Sequence, residues 1–140
     1  MITDDKLYSG KHWMRLEGDI LRCKYVGMIT ALDVQTFMHS FDKMLAPRQT
    51  YYVIADVAEV TGMEAEARKI ATEWFARYDL GGTVNFGAGA LTRAIGALIV
   101  SLLRLLHNND MSTHFVKTEE EARAWIQQQR RRRAANISPG

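Results

Sequence analysis

A chain of 140 residues has the length of one domain and can bury a hydrophobic core without disulfides or a metal. Hydrophobic residues make up 47% and charged residues 24%, as in an ordinary soluble domain, and a lone cysteine, Cys23, excludes an internal disulfide. The net charge of +2 depends on four consecutive arginines, Arg130 to Arg133. The rest of the chain has a small excess of acidic residues, so a basic nucleic-acid-binding face is not predicted.

The chain begins with a polar segment, residues 1–11, that we predict to be flexible. Residues 12–17 and 20–28 have the composition of two strands, and Gly18-Asp19 between them is a turn signal. Two strands joined by a tight turn pair as an antiparallel hairpin, so the sequence predicts an antiparallel edge at the start of the sheet.

A helix is predicted from Thr30, with Asp33 completing a capping pair and Pro47 ending the helix. Its apolar positions follow helical spacing: Val34, Phe37, Met38, Phe41, Met44 and Leu45. Residues 51–56 form a nearly continuous apolar run, which is typical of a strand buried on both faces of a parallel sheet. Thr61 with Glu64 predicts the N-terminus of the next helix.

Residues 82–110 are the most apolar part of the chain and predict a short strand, a glycine turn and a helix over residues 90–107. A helical projection predicts that one face of this helix lies in the core: Ile95, Leu98, Ile99, Leu102, Leu103, Leu105 and Leu106. The uncharged run of residues 94–103 is too short to span a bilayer, which needs about 20 residues.

The other face of the same helix carries small residues where a surface helix usually carries charge. The residues of this predicted partner face are Gly96, Ala97, Val100, Ser101 and Arg104. Small side chains allow another backbone to approach closely, so this face either contacts a protein partner, a second subunit or a ligand, or is simply an uncharged part of the surface.

A last strand is predicted over residues 113–116, and Thr118 with Glu121 forms a second capping pair before the final helix. From residue 130 to 140 we predict a basic, disordered tail. The domain proper therefore covers residues 12–129, in the order β-β-α-β-α-β-α-β-α. Strands that alternate with helices predict an α/β fold with a mixed sheet of about five strands and four helices.

This pattern resembles the SpoIIAA-like family of the STAS superfamily (sulfate transporter and anti-sigma factor antagonist) over roughly residues 13–128. The resemblance rests on YVGMITALD, on YYVIADVAEVTG, on the helix that carries Trp74, on VNFGAGALTRAIGALIVSLLRLL and on HFVKTEEEARAWI. It implies a small, cytoplasmic, non-enzymatic module of bacterial signalling that binds a protein partner or itself. The likeness of this branch to SEC14-type lipid carriers implies, as an alternative, a carrier or sensor of a small apolar ligand.

In anti-sigma factor antagonists a Ser or Thr after the Asp-ending strand is phosphorylated, and here the resemblance leaves only Thr61 for that role. The rest of the phosphorylation motif is absent, and an N-cap alone explains Thr61 as well. The carboxyl ends of parallel strands form the usual ligand edge. The residues predicted at that edge are Asp56, Thr61, Gly62, Gly87, Gly89, Thr92 and Arg93.

Catalytic and cofactor motifs are not apparent in the sequence. The four histidines lie in four different elements without metal-ligand spacing, and Cys23 has no activating pattern around it. The turn Gly87 to Thr92 lacks the glycine of a dinucleotide fingerprint and the Lys of a P-loop. We therefore expect neither a metal nor a cofactor, and no enzymatic activity.

Overall fold

The protein is built on one six-stranded mixed sheet whose strands lie in sequence order. The computed structural model describes residues 6–46, 48–108 and 113–137. The strands are β1 (Leu7–Ser9), β2 (His12–Glu17), β3 (Ile20–Ile29), β4 (Tyr51–Met63), β5 (Leu80–Phe86) and β6 (Thr113–Val116). The helices are α1 (Ala31–Met44), α2 (Ala65–Phe75), α3 (Ala90–His107) and α4 (Glu119–Ile137).

Strands β1 to β3 pair antiparallel, and β3 to β6 pair parallel. This arrangement confirms the predicted mixed α/β fold with its antiparallel start and four helices. It adds one strand, β1, to the five predicted. The prediction of a flexible N-terminus is thus wrong for Leu7–Ser9, while residues 1–5 lie outside the described residues.

Helices cover both faces of the sheet, because side chains along each strand alternate between them. On one face, α1 and α2 pack their aromatic residues Phe37, Phe41 and Trp74 against Leu21 and Cys23 of β3. On the opposite face, α4 packs against β4 and β5 in a smaller cluster: Ile20, Tyr52, Ile54, Val84, Ala122 and Ile126. The sheet is therefore the middle of three layers.

Helix α1 begins where the sequence predicts. The hydroxyl of Thr30 accepts a hydrogen bond from the backbone N–H of Asp33 at 3.1 Å, and the carboxylate of Asp33 accepts from the N–H of Thr30 at 2.9 Å. This reciprocal pair satisfies two of the free N–H groups at the helix start and confirms the capping prediction. Pro47, predicted to end this helix, lies outside the described residues.

The region around Thr61 differs from the prediction. Strand β4 continues to Met63, so Thr61 lies within a strand and is not a helix N-cap. The N-cap of α2 is Glu64, which makes no side-chain capping bond. Strand β3 is ten residues long and pairs with β4 out to Ile29 and Met63, which holds residues 61–63 extended.

The C-terminal region also differs. Helix α4 runs to Ile137, so the predicted disordered tail is wrong for residues 130–137, whereas residues 138–140 lie outside the described residues. Arg130 is paired with Asp19, and the Arg133 guanidinium lies 2.9 Å from a carboxylate oxygen of Asp79. These ion pairs attach the arginine-rich part of the helix to the loops before β3 and β5.

Candidate functional site

A cavity of about 130 Å³ lies between the sheet and the inner sides of α1, α2 and α3. Its floor includes Ala55, Asn85 and Phe115, which are neighbours in register on β4, β5 and β6. Helix α3 supplies one wall with a single stripe of side chains: Thr92, Ile95, Gly96 and Ile99. Most of the remaining lining is aliphatic or aromatic, as in typical small-molecule sites.

Helix α3 is turned relative to the prediction. Of the seven residues predicted to lie in the core, only Leu103 is fully buried, while Leu98, Leu105 and Leu106 are 42%, 79% and 70% exposed. Gly96, predicted on the partner face, points inward, because an added Cβ would lie 2.8 Å from the Phe115 ring. Val100 is half-buried. Of the predicted partner face, only Ala97, Ser101 and Arg104 are exposed.

The rotation of α3 leaves an apolar face uncovered. Leu91, Leu98 and Leu105 recur every seven residues and are 56%, 42% and 79% exposed. We call these three residues the leucine stripe. Among the described residues, α3 is also the helix that is long and apolar enough to cross a membrane by length and composition alone, and 6% of it is buried. The prediction that this segment is too short to span a membrane counted only the uncharged residues between Arg93 and Arg104. Both arginines lie within the helix.

Polar groups are few in the cavity lining. Thr83 and Thr113 share a hydrogen bond between their hydroxyl oxygens at 2.9 Å. The side chains of Asn85 and Thr92 also line the cavity, and neither has a hydrogen-bond partner within the described part of the chain. The side-chain amide of Asn85 therefore faces the cavity unpaired.

Burial changes the chemistry of two residues beside the cavity. It raises the pKa of the Cys23 thiol to about 12 and holds the pKa of Tyr25 well above its ordinary value, with the nearby Cys23 adding to the shift of Tyr25. Both groups are thus protonated at neutral pH. A thiol in this state is a poor nucleophile.

The residues predicted at the ligand edge are only partly brought together. Asp56 and Phe86 are partners in register, and Gly87, at φ +81°, passes close to Ala58 just beyond them. The Asp56 carboxylate accepts a hydrogen bond from the backbone N–H of Ala58 at 3.2 Å. Asp56 and Gly87 therefore lie close together, although β4 continues past Asp56 to Met63.

The other predicted edge residues point in different directions. Gly62 packs against the side chain of Met28, and Thr61 is exposed farther along β4. Gly89 is the N-cap of α3, and the Arg93 guanidinium lies 5.2 Å from the centroid of the Phe115 ring. No single site contains the whole predicted set.

Ionisable groups elsewhere serve structural contacts. The imidazole of His12 accepts a hydrogen bond from the backbone N–H of Val26 at Nδ1 (2.9 Å) and lies 3.1 Å from the Asp33 carboxylate at Nε2. Burial tends to raise the pKa of Asp33, but hydrogen bonds from Ser9 and Thr30 outweigh it and lower the pKa. Within residues 6–46, 48–108 and 113–137 no cluster of His, Cys, Asp and Glu could hold a metal.

Solved structures of the same architecture decide the fold. One is an uncharacterized DUF3478-family protein with a SpoIIAA-like fold from Shewanella loihica PV-4, with a TM-score of 0.62 at 17% identity, over 85% of this chain and 98% of that one. Another is the anti-sigma factor antagonist SpoIIAA in its unphosphorylated form, with a TM-score of 0.54 at 11% identity, over 83% of this chain and 97% of that one.

The fold is SpoIIAA-like. The resemblance predicted from the sequence is thereby confirmed at the level of the fold. No protein-family model and no curated protein sequence matches the chain. At these identities, the SpoIIAA-like fold leaves activity and partners to be argued from the chain itself.

Asn85 is the residue of the cavity that sequence reasoning missed. The pattern Thr83-Val84-Asn85-Phe86 places two polar residues on one face of a strand that was predicted within the most apolar part of the chain. An Asn in such a strand is a usable signal, because buried amides need partners.

Proposed function

We propose that this protein is a non-enzymatic STAS-type module that acts by binding another protein through the outer face of α3. The leucine stripe carries the proposal. Large exposed apolar residues on one side of a helix mark interaction surfaces, and a seven-residue spacing suits packing against another helix. The described solved structure of an anti-sigma factor antagonist with this fold is consistent with a role in binding a protein.

The charged residues of α3 indicate which kind of protein it would bind. Helix α3 contains Arg93 and Arg104 and has no acidic residue. A second copy of this helix would offer no opposite charge to Arg93. We therefore favour a different protein, with an apolar groove or helix bordered by acidic side chains. Self-association becomes an alternative outcome of the test.

The absence of enzymatic activity is part of the proposal. The Cys23 thiol is 1% exposed and its pKa is raised to about 12 by burial, which opposes a nucleophilic role. His12 is held by a backbone N–H on one ring nitrogen and a carboxylate on the other. The side chains around the cavity are mostly apolar, which suits binding better than acid–base chemistry.

The experiment compares Leu98→Glu/Leu105→Glu with a matched control, Leu32→Glu, which changes a leucine on α1 that is 70% exposed. Each tagged protein is used to recover binding proteins from a lysate of the source cells, and the complex with a recovered protein is then reconstituted from purified components. We expect wild type and Leu32→Glu to bind equally and the double variant to bind at least about tenfold more weakly, as for loss of interface hot spots.

Three results would overturn this proposal. Equal binding by the double variant would remove α3 from the interface. Sedimentation of wild type as a dimer that the double variant abolishes would assign the stripe to self-association. Co-flotation of wild type with vesicles of anionic phospholipid, lost in the double variant, would assign the stripe to a membrane surface.

A second candidate function is favoured by the cavity. The cavity has a volume of about 130 Å³ and a mostly apolar lining. Helix α3, which forms one wall, has one fully buried residue, Leu103. These features suit a carrier or sensor of a small apolar ligand. Native mass spectrometry of the purified protein tests it. A co-purifying small-molecule mass, absent when the cavity is filled by Ala55→Leu, supports this function, whereas an apo mass from source cells opposes it.

A further inference from the structure

The side-chain amide of Asn85 is unpaired where it faces the cavity. Asn85 lies on β5 between Ala55 of β4 and Phe115 of β6, and all three line the cavity. It thus stands in the middle of an apolar floor. Its side chain has no hydrogen-bond partner within the described part of the chain.

Asn85 is half-buried, so water that enters the cavity can hydrate its amide when no ligand is bound. A side-chain amide has two donors and an accepting oxygen, and most such groups away from bulk water are paired. The two threonines in the same wall, Thr83 and Thr113, satisfy each other at 2.9 Å. No side chain of the described residues pairs with Asn85 in this way, so its amide is available to a hydrogen-bonding group that enters the cavity.

The residues that line the cavity also indicate the charge of its ligand. Among the residues that the structure describes around the cavity, there is no Asp, Glu, Lys, Arg or His. An ionised group in such a site would lose its hydration without gaining an opposite charge, which is strongly unfavourable. The occupant is therefore neutral. Apolar cavities of about 150 Å³ take up benzene-sized molecules, which sets the size.

We propose that the cavity binds a small, neutral, mostly apolar molecule with one amide, carbonyl or hydroxyl group, and that Asn85 hydrogen-bonds to this group. The inference rests on the second proposed function, ligand sensing, and names the class of ligand. It is independent of the leucine stripe, since Asn85 lines the cavity and the three leucines of the stripe do not.

The first experiment separates a ligand-binding role of Asn85 from a structural one. Asn85→Leu replaces the amide with an apolar group of similar shape, and Thr83→Val is the matched control on the same wall. If Asn85 has no partner in the chain, Asn85→Leu raises the melting temperature of the ligand-free protein. Thr83→Val lowers it, because Thr113 loses its partner. A lower melting temperature for Asn85→Leu would show that the amide has a structural partner and would overturn the inference.

The second experiment measures binding of three probes of similar shape: benzamide, benzoate and toluene. Affinities are taken from backbone amide shifts of β5 and α3. We expect benzamide to bind wild type about tenfold more tightly than Asn85→Leu, the usual worth of a hydrogen bond, while toluene binds both alike. Benzoate should not bind at neutral pH.

The binding results distinguish failure of the ligand-sensing function from failure of the inference about Asn85. If neither toluene nor benzamide shifts the cavity residues, the ligand-sensing function and this inference both fall. If toluene binds but benzamide shows no preference for Asn85, this inference alone is overturned. Tight binding of benzoate would overturn the neutral class of ligand.

Discussion

Arg22 of β3 donates a hydrogen bond to Glu119 of α4 across 2.8 Å, and this contact joins the centre of the sheet to the first turn of the last helix. The two ends are unequal. Arg22 is 6% exposed, and its guanidinium lies between the rings of Trp13 and Phe86, at 5.3 and 5.1 Å from their centroids. Glu119 is partly exposed and has a second partner, Arg123, at 2.8 Å.

This asymmetry predicts that Glu119→Ala is more destabilising than Arg22→Met. Loss of Glu119 leaves a buried guanidinium with the Cys23 carbonyl as its remaining hydrogen-bond acceptor, whereas loss of Arg22 leaves Glu119 paired with Arg123. We expect Glu119→Ala to cost about 2 kcal/mol, less than fully buried pairs because Glu119 is partly exposed, and Arg22→Met to cost about 1 kcal/mol or less. Urea unfolding measures both, and the reverse order would contradict the prediction.

Glu119 also predicts an acid dependence of stability. Hydrogen bonds from Arg22, opposed by partial burial and aided by Arg123, lower the pKa of Glu119 from 4.5 to about 2. Its contribution is complete above pH 4.5 and is lost as the pH falls from 4.5 to about 2, because the unfolded chain binds the proton first. The stability difference between wild type and Glu119→Gln should shrink over this interval. A difference that stays constant there would show that the pKa is not lowered.

The pair also shows what the sequence could and could not predict. The strand of Arg22 and the capping pair before α4 were both predictable, since period-2 alternation and Thr-x-x-Glu spacing are local signals. The contact between them joins residues 97 positions apart. Hydrophobic patterning does not specify which charged residue of a strand a helix will cover.

Two glycines in one turn give a matched prediction. Gly87 has φ +81°, and an added Cβ would lie 2.8 Å from the Cβ and 3.2 Å from the Cα of Ala58. Gly89 has φ −84° and open space around it. We expect Gly87→Ala to cost about 1–3 kcal/mol through backbone strain and crowding, and Gly89→Ala less than about 1 kcal/mol. Thermal unfolding of both variants checks the order, and equal losses would contradict it.

The four arginines near the C-terminus divide into two pairs with different predicted effects. Arg130 and Arg133 contact Asp19 and Asp79, whereas Arg131 and Arg132 are exposed. We expect Arg130→Ala/Arg133→Ala to speed amide hydrogen exchange in the last two turns of α4 and to cost about 1 kcal/mol in total. Arg131→Ala/Arg132→Ala should leave exchange unchanged. Equal effects of the two double variants would mean that the ion pairs do not hold the helix.

Helix α3 marks where sequence reasoning about the site ended. The bounds of the helix, residues 90–107, were predicted correctly from its apolar composition and the glycine turn before it. Its rotation was not, because leucines occupy both the inner and the outer side and a projection assigns the larger group to the core. Gly96 determines the orientation, since only a residue without a side chain allows the helix to pack directly on Phe115.

Because Cys23 is buried, the reactivity of its thiol reports when the structure around it opens. The sequence contains one cysteine, it is 1% exposed, and its thiol stays protonated at neutral pH. Reagents that modify thiolates can therefore act only when the layer of α1 and α2 separates from β3. The rate of thiol labelling, measured at increasing reagent concentrations, would give the rate of this separation without an added probe.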